Sequence, residues 1–233
     1  MVKMAALPAR LSRWRGLFTQ DNSMTERKSP RQFNTLTDYM RYRTGGLTSA
    51  VGRWLHARGV HPDLITFVGL LVVAAAALLA SQGEFFWAAI VIIAGAPLDA
   101  VDGAVARAMG RTDKFGALWD SVLDRYADGF LFTALAYYYS KAGNQTAMLL
   151  AVLALLGTEL VSYARARAEG IDIDCKVGLF TRMERMVVIL AMLLTGYVVA
   201  GLWILAIGTN FTVAQRVWHV YRVIQQRKRE ERA

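Results

Sequence analysis

The chain has almost no cysteine. Cys175 is the only one in 233 residues, which excludes an internal disulfide and any thiolate metal cluster. No internal repeat and no low-complexity segment breaks the sequence. No long apolar run follows the first basic residues, so the N-terminus does not read as a secretory signal peptide. Basic residues are also missing from particular places: 81–84 and 195–201 contain none, and Lys141 stands alone in its stretch. The chain still carries a formal charge of +9. Nucleic-acid binding would need a basic face on a soluble domain, and no such face is visible.

What the chain has in abundance is apolar sequence. It is 55% hydrophobic with a mean hydropathy of +0.31, well above ordinary soluble domains. The apolar residues fall in six blocks, at 64–80, 85–98, 130–139, 148–163, 186–200 and 202–217. A spanning helix needs about 20 mostly apolar residues. Several blocks are shorter, so their helices must extend into polar flanks. This predicts an all-α integral membrane fold of six transmembrane helices, the second and third the least hydrophobic.

The charges sort the loops. Basic residues gather in the N-terminal stretch, after the second block (Arg107, Arg111, Lys114), after the fourth (Arg165, Arg167, Lys176, Arg182, Arg185) and in the tail (Arg227, Lys228, Arg229, Arg232). Basic residues mark cytoplasmic loops. Every second loop is basic, which predicts an even number of spans with both termini in the cytoplasm. Residues 1–33 are polar and basic and read as a loose arm, 34–225 as one membrane unit, and 226–233 as a charged tail. Within 48–58, Val51, Trp54 and Leu55 share one side while Arg53, His56 and Arg58 face elsewhere. That pattern predicts an interfacial amphipathic helix ahead of the first span.

The informative stretch is Asp99-Ala-Val-Asp102-Gly103-Ala-Val-Ala106-Arg107, then eight residues, then Gly116-Ala-Leu-Trp-Asp120-Ser-Val-Leu-Asp124. Asp99 and Asp102 are three apart, and Asp120 and Asp124 four apart, so each pair shares a helix face. A short basic turn joins the pairs, which predicts that they face each other at the cytoplasmic ends of spans two and three. Four acids at a membrane helix centre would cost on the order of 10 kcal/mol before their repulsion is counted. A divalent cation removes both costs. Carboxylates without nearby His or Cys suit Mg²⁺ or Mn²⁺ rather than Zn²⁺, and two such ions can brace an in-line phosphoryl displacement. Gly103 and Gly116 open space for a bulky group, and Arg107 offers a fork for phosphate.

The pattern D-x2-D-G-x2-A-R-x8-G-x3-D-x3-D resembles the signature of the CDP-alcohol phosphotransferases, with every fixed position filled. The resemblance implies a six-helix membrane fold, a homodimer, and a cleft facing the cytoplasm at the cell (inner) membrane. It implies that Asp99, Asp102, Asp120 and Asp124 hold two metal ions and that Asp124 is the catalytic base. Gly103 and Arg107 would contact the cytidine diphosphate of a CDP-lipid. Pro62-Asp63-Leu64-Ile65-Thr66 is similar to the family's second nucleotide-contacting stretch, through Asp63 and Thr66. The position three before Gly116, often Ser or Thr in relatives, is Asp113 here, with Thr112 as the substitute contact.

Ser162-Tyr163-Ala164-Arg165-Ala166-Arg167-Ala168-Glu169, Thr181-Arg182-Met183-Glu184-Arg185 and Gln215-Arg216 carry five guanidiniums toward the same end. Positive-inside topology and anionic headgroups account for the loop arginines, but poorly for Arg216 inside an apolar run. These segments are similar to those of bacterial phosphatidylinositol phosphate synthases. That resemblance, over roughly residues 50–222, implies that Arg165, Arg167, Arg182, Arg185 and Arg216 bind inositol phosphate while CDP-diacylglycerol is the donor. Glycerol 3-phosphate as acceptor, and the archaeal archaetidylinositol phosphate reaction, are the alternatives. Divalent-cation transport is the rival outside this chemistry. It would place acids near the bilayer midplane in repeated halves, whereas these acids sit at one end.

Overall fold

A computed structural model describes residues 57–59, 61–108 and 114–232, without the side chains at 62, 99–108 and 114. Among the described residues the regular structure is helical throughout. Six helices follow in order: α1 (Pro62–Ser81), α2 (Phe85–Ala108), α3 (Lys114–Lys141), α4 (Gln145–Glu169), α5 (Arg182–Thr195) and α6 (Val198–Glu230). The expected arm over 1–33 lies outside the described residues, and so does the expected amphipathic helix over 48–58, apart from its last two positions.

Local chemistry sets the ends. Pro62 sits in the first turn of α1, where its missing N–H costs nothing. The Asn144 side chain accepts from the Ala147 N–H at 3.0 Å and caps α4. At the head of α5, the Glu184 carboxylate accepts from the Thr181 backbone N–H at 2.9 Å and from its hydroxyl. Gly196, at φ 77°, closes α5 in the left-handed conformation.

The helices extend past their apolar blocks. The block at 130–139 lies inside the 28-residue α3, and the block at 202–217 inside the 33-residue α6. At 1.5 Å per residue α6 is about 50 Å long, well over the thickness of about 30 Å of a hydrocarbon core. The charged tail continues α6 as far as Glu230. By length and composition, α1, α4 and α6 can each cross a membrane. The apolar part of α2, Phe85–Leu98, is shorter. The fifth helix is shorter than its apolar block suggested, because Gly196 ends it after 14 residues.

Helix contacts close a ring, α1–α2–α5–α6–α4–α3 and back to α1. Small residues make many of the contacts, Ala76, Ala80, Ala88, Ala89, Ala147, Ala151 and Ala154 being fully buried beside a few large ones such as Phe132, Leu135 and Leu202. Large apolar side chains such as Leu71, Leu78, Trp87, Leu149, Ile207 and Phe211 point outward. That inversion suits helices whose outer faces meet lipid, where association depends on close packing rather than water exclusion. At the α4–α6 crossing, a Cβ on Gly157 would lie 2.1 Å from Thr209 Oγ1, so only glycine permits this approach.

Across the ring, α3 and α5 make no close backbone contact among the described residues. The segment at 170–181, which leads into α5, is laid along α6 instead. Leu179 N–H donates to Gln215 Oε1 at 3.2 Å, Phe180 N–H to Thr212 Oγ1 at 2.9 Å, and Arg227 to the Asp172 carbonyl at 2.7 Å. The start of α5 is therefore placed by α6.

Candidate active site

The gap between α3 and α5 is a cavity of about 120 Å³, also lined by α1 and α2. Thr66, Asp124, Arg125, Asp128, Arg182 and Arg185 are its polar lining. Two signals separated by 58 positions meet here. Arg182 donates to both Asp124 oxygens, Nη1 to Oδ2 at 2.6 Å and Nη2 to Oδ1 at 2.7 Å. This two-point, charge-assisted pairing is the strong form of an Arg–carboxylate contact. Asp124 is one-fifth exposed and Arg182 about half exposed, so the pair is partly open to solvent.

The other expected residues divide by element. Asp120 is exposed on α3, one turn before Asp124. Asp99, Asp102, Gly103 and Arg107 lie on the last turns of α2, their side chains outside the description, and Thr112 and Asp113 lie outside the described residues. Among the described residues no three metal-ligating side chains gather, and the side chains of Asp99 and Asp102, two of the four expected carboxylates, lie outside that description. On α1, Asp63 pairs with His61 at 3.2 Å, and Thr66, one turn on, reaches the cavity.

The five arginines do not all reach one place. Arg182 and Arg185 line the cavity. Arg165 pairs with Glu169 at 2.8 Å on α4, and Arg167 is exposed on the same last turn. Arg216 is buried on α6 and donates to the Val177 carbonyl at 3.0 Å and to the Val161 carbonyl. Cys175 is buried beside α6, and burial pushes its thiol above the ordinary range, which keeps it protonated and unreactive.

Three polar residues of this region were not singled out from sequence: Arg125, Asp128 and Glu159. Arg185 approaches Asp128 at 3.8 Å, and Arg125 lies 4.0 Å from Asp128 and 3.7 Å from Glu159. The signals were present. Asp120, Asp124 and Asp128 recur every four residues on one helix face. Glu159 is an acid inside an apolar run, which rarely occurs without a function.

Together these features suit phosphoryl chemistry: a carboxylate lining a cavity, guanidinium forks beside it, and further acidic residues in the sequence of the neighbouring helix. The family model for CDP-alcohol phosphatidyltransferases matches residues 59–214. The chain belongs to this family. As a CDP-alcohol phosphatidyltransferase it is an enzyme and a membrane protein, with six helices among the described residues, several of them apolar.

Among its relatives, the phosphatidylinositol phosphate synthase of Streptomyces avermitilis is 40% identical over 184 residues, covering 72% of this chain and 75% of that one. The archaetidylinositol phosphate synthase of Methanothermobacter thermautotrophicus is 39% identical over 166 residues, covering 69% and 83%. The crystal structure of Mycobacterium tuberculosis phosphatidylinositol phosphate synthase with CDP-DAG bound superposes with a TM-score of 0.71 at 29% identity, covering 75% of this chain and 93% of that one. The same protein in complex with manganese and citrate gives the same score and identity, covering 75% and 88%.

Proposed function

We propose that the enzyme transfers a phosphatidyl group from CDP-diacylglycerol to inositol 1-phosphate, giving phosphatidylinositol phosphate and CMP. One observation carries the reading: Asp124, the last residue of the CDP-alcohol signature, shares a cavity with Arg182 and Arg185 of the acceptor motif. The inositol phosphate chemistry of the relatives agrees with it.

An all-carboxylate donor set fits a hard divalent cation. Asp99, Asp102, Asp120 and Asp124 would hold two Mg²⁺ or Mn²⁺ ions, which supply charge neutralisation at the pyrophosphate and at the transferring phosphorus. The chain's own groups do the rest. Asp63, Thr66, Gly103, Arg107, Thr112 and Asp113 bind the cytidine diphosphate. The acceptor's phosphate competes for the Arg182 guanidinium, and Arg182 has the exposure and reach to follow it. Asp124 is thereby released to take the proton of the inositol hydroxyl. The hydroxyl oxygen bonds to the lipid-bearing phosphorus as the bond to CMP breaks, and CMP leaves as the anion. Arg185 holds the acceptor phosphate throughout, with Arg165, Arg167 and Arg216 completing the basic cluster at this end of the bundle.

The catalytic unit spans 34–225, between the 1–33 arm and the 226–233 tail. It works as a homodimer in the cell (inner) membrane, with both termini and the cavity mouth on the cytoplasmic side, as the alternating basic loops support. The 39% identical archaetidylinositol phosphate synthase favours one second reading, the same acceptor with an archaeal lipid donor. The test is purified protein in detergent with CDP-diacylglycerol and a panel of inositol 1-phosphate, glycerol 3-phosphate, inositol and glycerol, scored for CMP release. Release with inositol 1-phosphate is expected. Release with glycerol 3-phosphate instead overturns the acceptor, and release only with the archaeal CDP-lipid moves the assignment to the second reading.

A further inference from the structure

Behind the Asp124–Arg182 pair, Arg185 sits in a second layer of charge whose other members, Asp128, Arg125 and Glu159, the reaction as described does not use. Arg185 is almost fully buried, and its one ionic neighbour among the described residues is Asp128, at 3.8 Å. Arg125 stands 4.0 Å from the same carboxylate and 3.7 Å from Glu159 on α4. Two guanidiniums and two carboxylates thus neutralise one another across three helices. None of these three contacts is at hydrogen-bond distance. Arg125 Nε and Glu159 Oε1 are buried with no hydrogen-bond partner among the described residues.

A four-charge cluster is a poor way to hold helices together. Apolar side chains of similar volume do this as well or better, because burying ions costs more than a loose pairing returns. Contacts near 4 Å keep the charge attraction but forgo the hydrogen bonds of an optimised bridge. The cluster does, however, fix a guanidinium that would otherwise be mobile. Asp128 faces Arg185 across the cavity, Arg125 stands beside Asp128, and Glu159 faces Arg125 from α4. Glu159 does not line the cavity, so it acts on the contents through the charged side chains that do.

We propose that Glu159, Arg125 and Asp128 are positioning residues that set Arg185 for the acceptor's phosphate. Glu159 draws Arg125 toward α4, so that Arg125 does not compete for Asp128. Asp128 then holds Arg185 in the rotamer that presents its fork to the cavity. The network fixes affinity for a phosphorylated acceptor and leaves donor binding to α1, α2 and the signature carboxylates.

This inference rests on the acceptor assignment of Arg185, so the wild-type enzyme is assayed first with inositol 1-phosphate. No turnover with that acceptor overturns the assignment itself. With turnover established, Glu159→Gln should raise the KM for inositol 1-phosphate about ten-fold or more, with the KM for CDP-diacylglycerol unchanged. Glu159→Asp should recover part of the loss. Combining Glu159→Gln with Arg185→Lys should raise the acceptor KM little beyond Arg185→Lys alone, because both act on one guanidinium. Equal KM changes for both substrates, or full additivity in the double variant, overturn the network. If Glu159→Gln does not fold, Asp128→Glu replaces it. That variant keeps the charge, and an acceptor KM equal to wild type would count against the proposal.

Discussion

Two helix pairs of the ring, one adjacent and one facing across it, are built on opposite principles. Where α4 meets α6, Gly157 lets the backbones come together against Thr209 and Asn210, and the Asn210 amide donates to the Leu153 and Ala206 carbonyls at 3.2 and 2.8 Å. Where α3 faces α5, no close backbone contact exists, and charged side chains bridge the gap. The first pair stabilises through contact. The second gives up contact to keep a cavity open, and the fold tolerates this because α6 positions α5 through the 170–181 segment. Close packing at one edge of the ring thus supports an open site across it.

The largest effect should come from the open pair. Chelation with EDTA should reduce CMP release to background, with recovery on adding Mg²⁺ or Mn²⁺. Full turnover in chelator would remove the metal from the account. Asp124→Asn should cost at least about 10²–10⁴ in turnover, the contribution of a general base, while CDP-diacylglycerol still binds. Near-normal turnover would take Asp124 out of the chemistry.

Arg182→Ala and Arg216→Ala sharpen the contrast, since one arginine bridges the gap and the other is bound to carbonyls beside the packed pair. Each should raise the acceptor KM, by about 10–150-fold for a lost charge-assisted hydrogen bond worth about 1.5–3 kcal/mol. Arg216→Ala should also lower the melting temperature, because it releases the Val177 and Val161 carbonyls. If Arg216→Ala changes stability and leaves the acceptor KM alone, it is an anchor and not part of the pocket. Gly157→Val should destabilise by about 1–3 kcal/mol, the usual cost of overpacking, with both KM values near wild type. A variant as stable as wild type would show that the α4–α6 crossing is not tightly packed.

Much of this was legible in the chain itself. Apolar blocks and alternating basic loops specify six helices and their order, because burying backbone polar groups in lipid leaves little but helix available. The spacing of Asp99, Asp102, Asp120 and Asp124 is the sequence signal on which the proposed metal chemistry rests, because clustered carboxylates in membrane helices suit a bound cation. Helix length was less legible: α5 stops where Gly196 adopts a left-handed conformation, and hydropathy does not register that turn. Nor does local pattern say which of five arginines meets Asp124. That depends on how α5 is held against α6, through Thr212, Gln215 and Arg227, far from the motif in sequence. Asp128 and Glu159 were visible as acids in helices, but their meaning lies in the guanidiniums that face them. Composition and spacing determine which groups the protein has and which helices carry them. Which charges meet was decided only by tertiary packing, because electrostatic contact depends on distances that the chain sets by folding.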